Sequence, residues 1–264
     1  MDKYFVIGNP IEHSLSPKLH NYWIKSNNLD AFYDKKKIDI NELKDLIFQI
    51  KQKNIKGINV TVPYKRSVIP FLDKLSPEAE KTQSVNTIFL KDELIVGHNT
   101  DVIGFVNAVE KINFSLNNKK IYILGAGGVV PSIVFALNKM NVLEINLANR
   151  TKQKALDLKK SFGNLKIVDW GLIPDFDVII NATSVGLNKE DLIDLDFSKI
   201  GKNRLFYDVI YNPSETNFLK TGKQSGNLTE NGKLMFLHQA SEAFKLWHGI
   251  SPKINSETIR LLND

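Results

Sequence analysis

The chain has no cysteine in its 264 residues. That excludes a disulfide framework, a thiolate metal site and a cysteine nucleophile. Its five histidines do not fall at metal-ligand spacing with acidic residues, so no metal is expected. No stretch approaches the ~20 apolar residues of a membrane-spanning helix. The N-terminus lacks the basic region and apolar core of a secretory signal. A cytoplasmic protein is the expectation. Internal repeats and low-complexity tracts are missing too. The hydrophobic share of 42% is enough to build a core, in one large domain or two small ones. The formal charge is +6, but the lysines are scattered and not interleaved with aromatics. Neither nucleic acid nor a membrane is therefore an expected partner. The same charge favours encounter with a small anion and a phosphorylated cofactor.

Three polar segments stand out against apolar runs. In Asn59-Val60-Thr61-Val62-Pro63-Tyr64-Lys65, a buried strand ends in a polar cluster and a lysine. Pro63 cannot donate to a sheet ladder, so it closes the strand and helps to set where Lys65 projects. Lysine is costly at the end of a buried strand, and one placed there serves as a proton donor, a proton acceptor or an anion ligand. In Gly97-His98-Asn99-Thr100-Asp101, an aspartate opens an apolar-periodic helix over 101–112. Asp101 can cap that helix, pair with Lys65, or do both. In Ser14-Leu15-Ser16-Pro17, a polar loop enters a helix at Pro17. Ser16 is the natural N-cap, which leaves Ser14 without a structural duty. Two hydroxyls so close at a helix start suit an anion or a polyol. His13 and His20 read as local hydrogen-bonding groups.

The chain alternates strand and helix. Strands are expected at 3–8, 31–35 and 57–62, helices at 17–25, 41–53 and 68–75, and a hairpin over 84–96. After a polar linker, Lys120–Leu124 reads as a buried parallel strand. Helix 132–139, strand 144–148, helix 152–162 and strands 177–181 and 205–209 complete a doubly wound pattern. Residues 233–260 read as helical again. The fold class is α/β, with an N-terminal α/β domain and a Rossmann-type dinucleotide-binding domain.

Gly125-Ala126-Gly127-Gly128 lies between a strand and a helix, where glycines let a backbone approach a pyrophosphate. Val130 replaces the third glycine of the usual pattern and Pro131 follows it, early enough in the helix to lose no hydrogen bond. The next strand ends in Asn149-Arg150-Thr151, with Lys154 beyond. A carboxylate there would bind a ribose 2′-hydroxyl, whereas arginine pairs with a 2′-phosphate. The pattern therefore favours NADP over NAD.

These motifs, with Val85-Asn86-Thr87, Asn181-Ala182-Thr183-Ser184, Gly186, Tyr211-Asn212-Pro213, Asn231-Gly232 and Gln239, resemble the shikimate dehydrogenase family from about residue 4 to about residue 250. The resemblance implies NADPH-dependent reduction of 3-dehydroshikimate to shikimate, within chorismate and aromatic amino acid biosynthesis. It implies a substrate domain of residues 1–101 plus about 237–264, whose C-terminal helix packs back on it, and a cofactor domain of 102–236. Lys65 and Asp101 become the catalytic pair. Ser14 and Ser16 would hold the substrate carboxylate, and Thr61, Asn86, Asp101, Tyr211 and Gln239 its hydroxyls. Gly125, Ala126, Gly127, Gly128, Val129, Asn149, Arg150, Thr151, Lys154, Thr183, Val209 and Gly232 would line the cofactor. A monomer or homodimer is implied. The rivals are an NAD-dependent quinate/shikimate dehydrogenase, glutamyl-tRNA reductase, and a non-catalytic ligand-sensing relative. Arg150 argues against the first, the missing cysteine against the second, and retention of Lys65 with Asp101 against the third.

Overall fold

Alternation of strand and helix builds two separate six-stranded sheets. The computed structural model describes residues 1–262; the last two positions of the expected substrate domain, 263 and 264, lie outside the described residues. One unit comprises Met1–Gly104 and the chain from Leu237 onward, the other Phe105–Phe236.

The first unit holds β1 (Asp2–Gly8), α1 (Ser16–Ser26), β2 (Ala31–Lys37), α2 (Leu43–Lys51), β3 (Gly57–Val60), β4 (Lys74–Leu75), α3 (Pro77–Thr82), β5 (Thr87–Lys91) and β6 (Leu94–His98). Helix α4 (Thr100–Val109) then carries the chain into the second unit. There follow β7 (Lys120–Leu124), α5 (Val130–Lys139), β8 (Glu144–Ala148), α6 (Lys152–Ser161), β9 (Leu165–Ile167), β10 (Val178–Asn181), β11 (Leu205–Asp208), α7 (Asn217–Gln224) and β12 (Leu228–Glu230). Helix α8 (Lys233–His248) returns the chain to the first unit, and α9 (Ser256–Arg260) follows.

The first sheet has the order β2-β1-β3-β5-β6-β4 and is mixed: β1 pairs in parallel with β2 and β3, and β5 runs antiparallel to β3 and β6. Its core forms because α2 places Leu43, Leu46, Ile47 and Ile50 on one face, where they meet Ile7, Ile58, Val60 and Ile88. Each such side chain contributes roughly 1.5–3 kcal/mol when fully buried. Helix α8 lays Trp247 on Tyr4 at 5.0 Å between ring centroids, and the indole N–H donates to the Ile88 carbonyl at 3.3 Å. Gly57 makes room for that indole, since a Cβ there would stand 2.3 Å from Trp247 Nε1.

The second sheet is wholly parallel, in the order β12-β11-β10-β7-β8-β9. That is the doubly wound order of a Rossmann fold, with its switch point between β7 and β10.

Some local expectations are corrected. Residues 68–75 do not form one helix: a single 3-10 turn at Ile69–Phe71 gives way to β4, where Leu72 turns extended and the Asp73 N–H donates to the Ile95 carbonyl at 2.9 Å. The expected helical tail breaks after α8, where Gly249 adopts φ +69, before Asn255 caps α9. Short elements β4, α3, β9, α7 and β12 were not expected. Edge strand β2 runs past its expected end at Lys35 to Lys37.

Candidate active site

Strand β3 ends at Val60, and the following turn carries Lys65 back toward the start of α4. There its ammonium donates to Asp101 Oδ2 at 2.6 Å, with side chains only 14% and 9% exposed. Burying such a pair costs desolvation of both ions, and it persists when remaining valences are satisfied. Asp101 meets that condition: its second oxygen, Oδ1, accepts from Asn86 Nδ2 at 2.9 Å. The Lys65 ammonium has three N–H donors and uses one on Asp101. Its remaining N–H groups can donate hydrogen bonds to an incoming oxygen.

Asp101 does not cap α4. Asn99 does so instead, its Oδ1 accepting the Asp101 N–H at 3.1 Å, which releases the aspartate for Lys65. Asn86 is anchored by the Thr100 N–H, which donates to its Oδ1 at 2.8 Å. Gln239, on α8, reaches the same amide at a long 3.5 Å. Thr61 follows β3, half-buried, with its N–H on the Ile7 carbonyl.

The serine loop also differs from expectation. Ser16 is the first residue of α1 and caps nothing, since the N-cap position is Leu15. Ser14 has the structural duty instead: its Oγ accepts the Ser16 N–H at 3.3 Å. Ser16 is buried; burial raises the Tyr33 pKa well above its ordinary value, and hydrogen bonding from Ser16 acts against that shift. His20, expected to hydrogen-bond locally, is fully buried with both ring nitrogens unpartnered. It stacks on Tyr33 at 4.2 Å, and burial pushes its pKa down to about 3.

In the second unit, Gly125 follows β7 with φ +108, and a Cβ there would lie 2.7 Å from the Ala182 carbonyl. Only glycine fits that approach. Gly127 and Gly128 are exposed and open: a Cβ on Gly128 would meet nothing within 4 Å. Ala126 and Val129 flank them, both half-buried, and Val130 is fully buried at the start of α5. At the end of β8, Asn149 Nδ2 holds the Thr151 carbonyl at 2.8 Å. Arg150 and Lys154 are exposed, and Arg150 has no ion-pair partner among the described residues. These residues suit a phosphorylated dinucleotide: an open glycine turn at the switch point and an exposed guanidinium with no ion pair among the described residues.

Thr183 is fixed by Asn181, whose Oδ1 accepts from its N–H and its hydroxyl at 3.1 and 2.7 Å. Asn181 in turn donates to Asp208 Oδ1 at 3.1 Å, and Thr216 Oγ1 donates to Oδ2 at 2.6 Å. Burial outweighs these bonds and raises the Asp208 pKa to about 6. Val209 is half-buried, and its carbonyl lies where a Cβ on Gly232 would stand 2.1 Å away. Gly232 therefore has a packing reason of its own. Tyr211 belongs to this unit, stacked on Phe236 at 4.6 Å, with its phenol pushed up to about 12 by burial. The structure brings Lys65, Asp101, Asn86 and Gln239 together by hydrogen bonds within the first unit.

Sequence reasoning missed the partners behind this group: Tyr33, Asn59 in its own right, Thr87 and Thr100. One signal was present. All four residues of β3 are buried, and a polar Asn59 on such a strand must find hydrogen bonds.

A doubly wound sheet with a glycine turn in one unit, and a buried lysine–aspartate pair in the other, define a nicotinamide-nucleotide oxidoreductase. Two family models match the chain, "Shikimate dehydrogenase substrate binding domain" over residues 6–88 and "Shikimate / quinate 5-dehydrogenase" over residues 107–213. The chain is 56% identical over 260 residues to shikimate dehydrogenase (NADP(+)) of Pelagibacter ubique, covering 98% of each. It resembles the crystal structure of shikimate dehydrogenase from Aquifex aeolicus with a TM-score of 0.91 and 37% identity, over 100% of this chain and 98% of that one. It also resembles shikimate 5-dehydrogenase from Thermus thermophilus in complex with NADP(H) and shikimate, with a TM-score of 0.90 and 31% identity, over 99% and 98%. The chain belongs to the shikimate dehydrogenase family.

Proposed function

We propose that the protein is an NADP-dependent oxidoreductase that interconverts 3-dehydroshikimate and shikimate, within chorismate and aromatic amino acid biosynthesis. The observation that carries this reading is the buried Lys65–Asp101 pair, 2.6 Å apart and held from behind by Asn86. NADP in its reduced form supplies the hydride. As the carbonyl carbon is reduced, its oxygen takes a proton from the Lys65 ammonium; in the reverse direction neutral Lys65 accepts the hydroxyl proton. Asp101 holds the lysine in place and offers a carboxylate oxygen to a substrate hydroxyl. Ser14 and Ser16 hold the substrate carboxylate, and Thr61, Asn86, Tyr211 and Gln239 complete its recognition.

Gly125, Ala126, Gly127, Gly128 and Val129 receive the pyrophosphate. Asn149, Arg150, Thr151 and Lys154 read the adenosine 2′-phosphate, and Thr183, Val209 and Gly232 support the nicotinamide end. The absence of a carboxylate beside Arg150 supports NADP over NAD. Among the described residues no helix is long and apolar enough to cross a membrane. A cytoplasmic monomer or homodimer fits this reading. The test is nicotinamide absorbance with shikimate and each oxidised cofactor in turn. Reduction with NADP far above that with NAD is expected. Equal rates would contradict the cofactor assignment, and no reduction with either would contradict the function.

A further inference from the structure

A run of hydrogen bonds lies behind the Lys65–Asp101 pair, and Thr100 Oγ1 branches from it, 2.9 Å from Asn86 Nδ2 and 3.4 Å from Thr87 Oγ1. Tyr33 donates its hydroxyl to Asn59 Oδ1 at 2.7 Å. Asn59 Nδ2 donates to Thr87 Oγ1 at 3.0 Å and to the Asn86 carbonyl at 3.0 Å. Thr87 Oγ1 donates to Asn86 Oδ1 at 3.1 Å, and Asn86 Nδ2 donates to Asp101 Oδ1 at 2.9 Å. Two backbone groups settle the amide orientations. The Asn86 carbonyl can only accept, so it faces Asn59 Nδ2; the Thr100 N–H can only donate, so it faces Asn86 Oδ1. With both amides fixed, the Tyr33, Asn59 and Asn86 donors point toward Asp101, and the Thr87 hydroxyl has Asn86 Oδ1 and Thr100 Oγ1 within reach. At the far end, α1, which begins at the buried Ser16, holds Tyr33 through Asn21 and His20, and hydrogen bonding from Ser16 acts against burial on the Tyr33 phenol.

Packing does not account for these hydroxyls. The Tyr33 ring is held by stacking on His20, and its backbone by a two-point clasp from Asn21, whose amide accepts the Tyr33 N–H at 2.9 Å and donates to its carbonyl at 2.7 Å. A phenylalanine would pack there equally well. Thr87 is fully buried, where valine has nearly the same shape. Aligned hydrogen bonds in a low-dielectric interior polarise one another, so a change at one end is felt at the other.

We propose that Tyr33, Asn59 and Thr87 are positioning residues that couple the Ser14–Ser16 loop to the Lys65–Asp101 pair. When the substrate carboxylate engages Ser16, that hydroxyl turns toward the anion and its hydrogen bonding to Tyr33 changes. The change passes through Asn59 and Thr87 to the Asn86 amide that holds Asp101. The inference rests on the reading above, in which the serine loop binds the carboxylate and Lys65 moves the proton.

The test uses the full chain and the variants Tyr33→Phe, Thr87→Val, Thr87→Ser, Ser16→Ala and the double variant Ser16→Ala/Thr87→Val. Turnover and KM are measured with shikimate and with NADP, and shikimate binding by calorimetry. Loss of one hydrogen bond corresponds to about three- to tenfold. Tyr33→Phe and Thr87→Val are expected to lower kcat/KM for shikimate by about that factor, leaving KM for NADP unchanged. Thr87→Ser, which keeps the hydroxyl, is expected to stay within about twofold of the parent. The double variant is expected to lose less than the product of its single losses, because both cut one line. A fully active Thr87→Val, a Thr87→Ser as impaired as Thr87→Val, or a strictly multiplicative double variant would each overturn the coupling. If Thr87→Val does not fold, the cycle of Tyr33→Phe with Ser16→Ala carries the same two outcomes. Lys65→Met in parallel separates the levels. Its inactivity beside a normal Thr87→Val refutes the coupling alone, whereas its full activity refutes the underlying reading as well.

Discussion

At the scale of single residues, the groups that matter are polar atoms removed from water and the partners that receive them. Ser14 and Ser16 exchange the roles their positions suggest. Since Ser14 Oγ accepts the Ser16 N–H, Ser14→Ala is expected to raise KM for shikimate and to cost about 1 kcal/mol of stability, as for a lost cap. Ser16→Ala is expected to raise KM for shikimate while KM for NADP stays constant. Melting curves and paired KM values check both; an unchanged KM in both variants would remove the loop from substrate binding.

Asp208 carries a pH signature. Burial raises its pKa from 3.8 to about 6, against the bonds from Thr216, Ile210 and Asn181. The folded protein therefore favours the acid form. The stabilisation is complete below pH 3.8 and is lost as pH rises through 6, a change of up to ~3 kcal/mol. Asp208→Asn is neutral at every pH and can still accept at Oδ1. It is expected to be more stable than the parent at pH 8, with the gap closing toward pH 4. Parallel denaturation curves at the two pH values would refute a buried titrating acid.

At the scale of elements, the turn from β7 into α5 separates two uses of glycine. Gly125→Ala must push against the Ala182 carbonyl at positive φ, so it is expected to lower the melting temperature and NADP binding together. Gly128→Ala meets no neighbour. It is expected to fold normally and still weaken NADP, because the added methyl occupies the space the pyrophosphate needs. Normal NADP affinity in Gly128→Ala would place the phosphates elsewhere. At the end of β8, Arg150→Ala is expected to weaken NADP binding by roughly 1.5–3 kcal/mol, the range for a hydrogen bond to a charged group, and to leave NAD binding nearly unchanged. An equal loss for both cofactors would mean that Arg150 does not read the 2′-phosphate.

The elements also show what the sequence made legible. Continuous apolar runs marked β7 and β10, and i, i+3, i+4, i+7 spacing marked the buried face of α2. Strands of two or three residues such as β4, β9 and β12 are too short to show a period, so they emerge only from pairing partners. Helix α3 went unexpected because its six residues give no apolar face, although Ser76 caps it and Pro77 opens it. Lys65 and Asp101 were legible as polar residues at strand and helix ends. Tyr33 and Thr87 were not, because an aromatic or β-branched residue in a strand is what burial alone predicts; their role lies in hydroxyl geometry.

At the scale of the molecule, acid stability is expected to rest on the first unit. His20 is neutral and enclosed by Tyr33, Trp23, Phe244 and Trp247, with His248 adding repulsion to its charged form. Its pKa falls from 6.5 to about 3 on folding. The associated stability is therefore present above pH 6.5 and is lost as pH falls toward 3, up to ~5 kcal/mol at the limit. His20→Phe keeps the stacking and removes both the titration and the unpartnered ring nitrogens. Its acid unfolding midpoint is expected to move to lower pH. A midpoint that stays in place would assign acid lability to other groups.

The reading of the whole chain as a dehydrogenase turns on one proton. Turnover of Lys65→Met with shikimate and NADP, alongside NADP affinity on the same preparation, tests this most directly. Methionine keeps the apolar stem and removes only the ammonium that Asp101 holds. Proton transfer by a positioned side chain is worth ~10²–10⁴-fold, so turnover is predicted to fall at least about 10²-fold while NADP affinity stays near that of the parent. Turnover within about tenfold of the parent would move the proton transfer to another group and contradict the account.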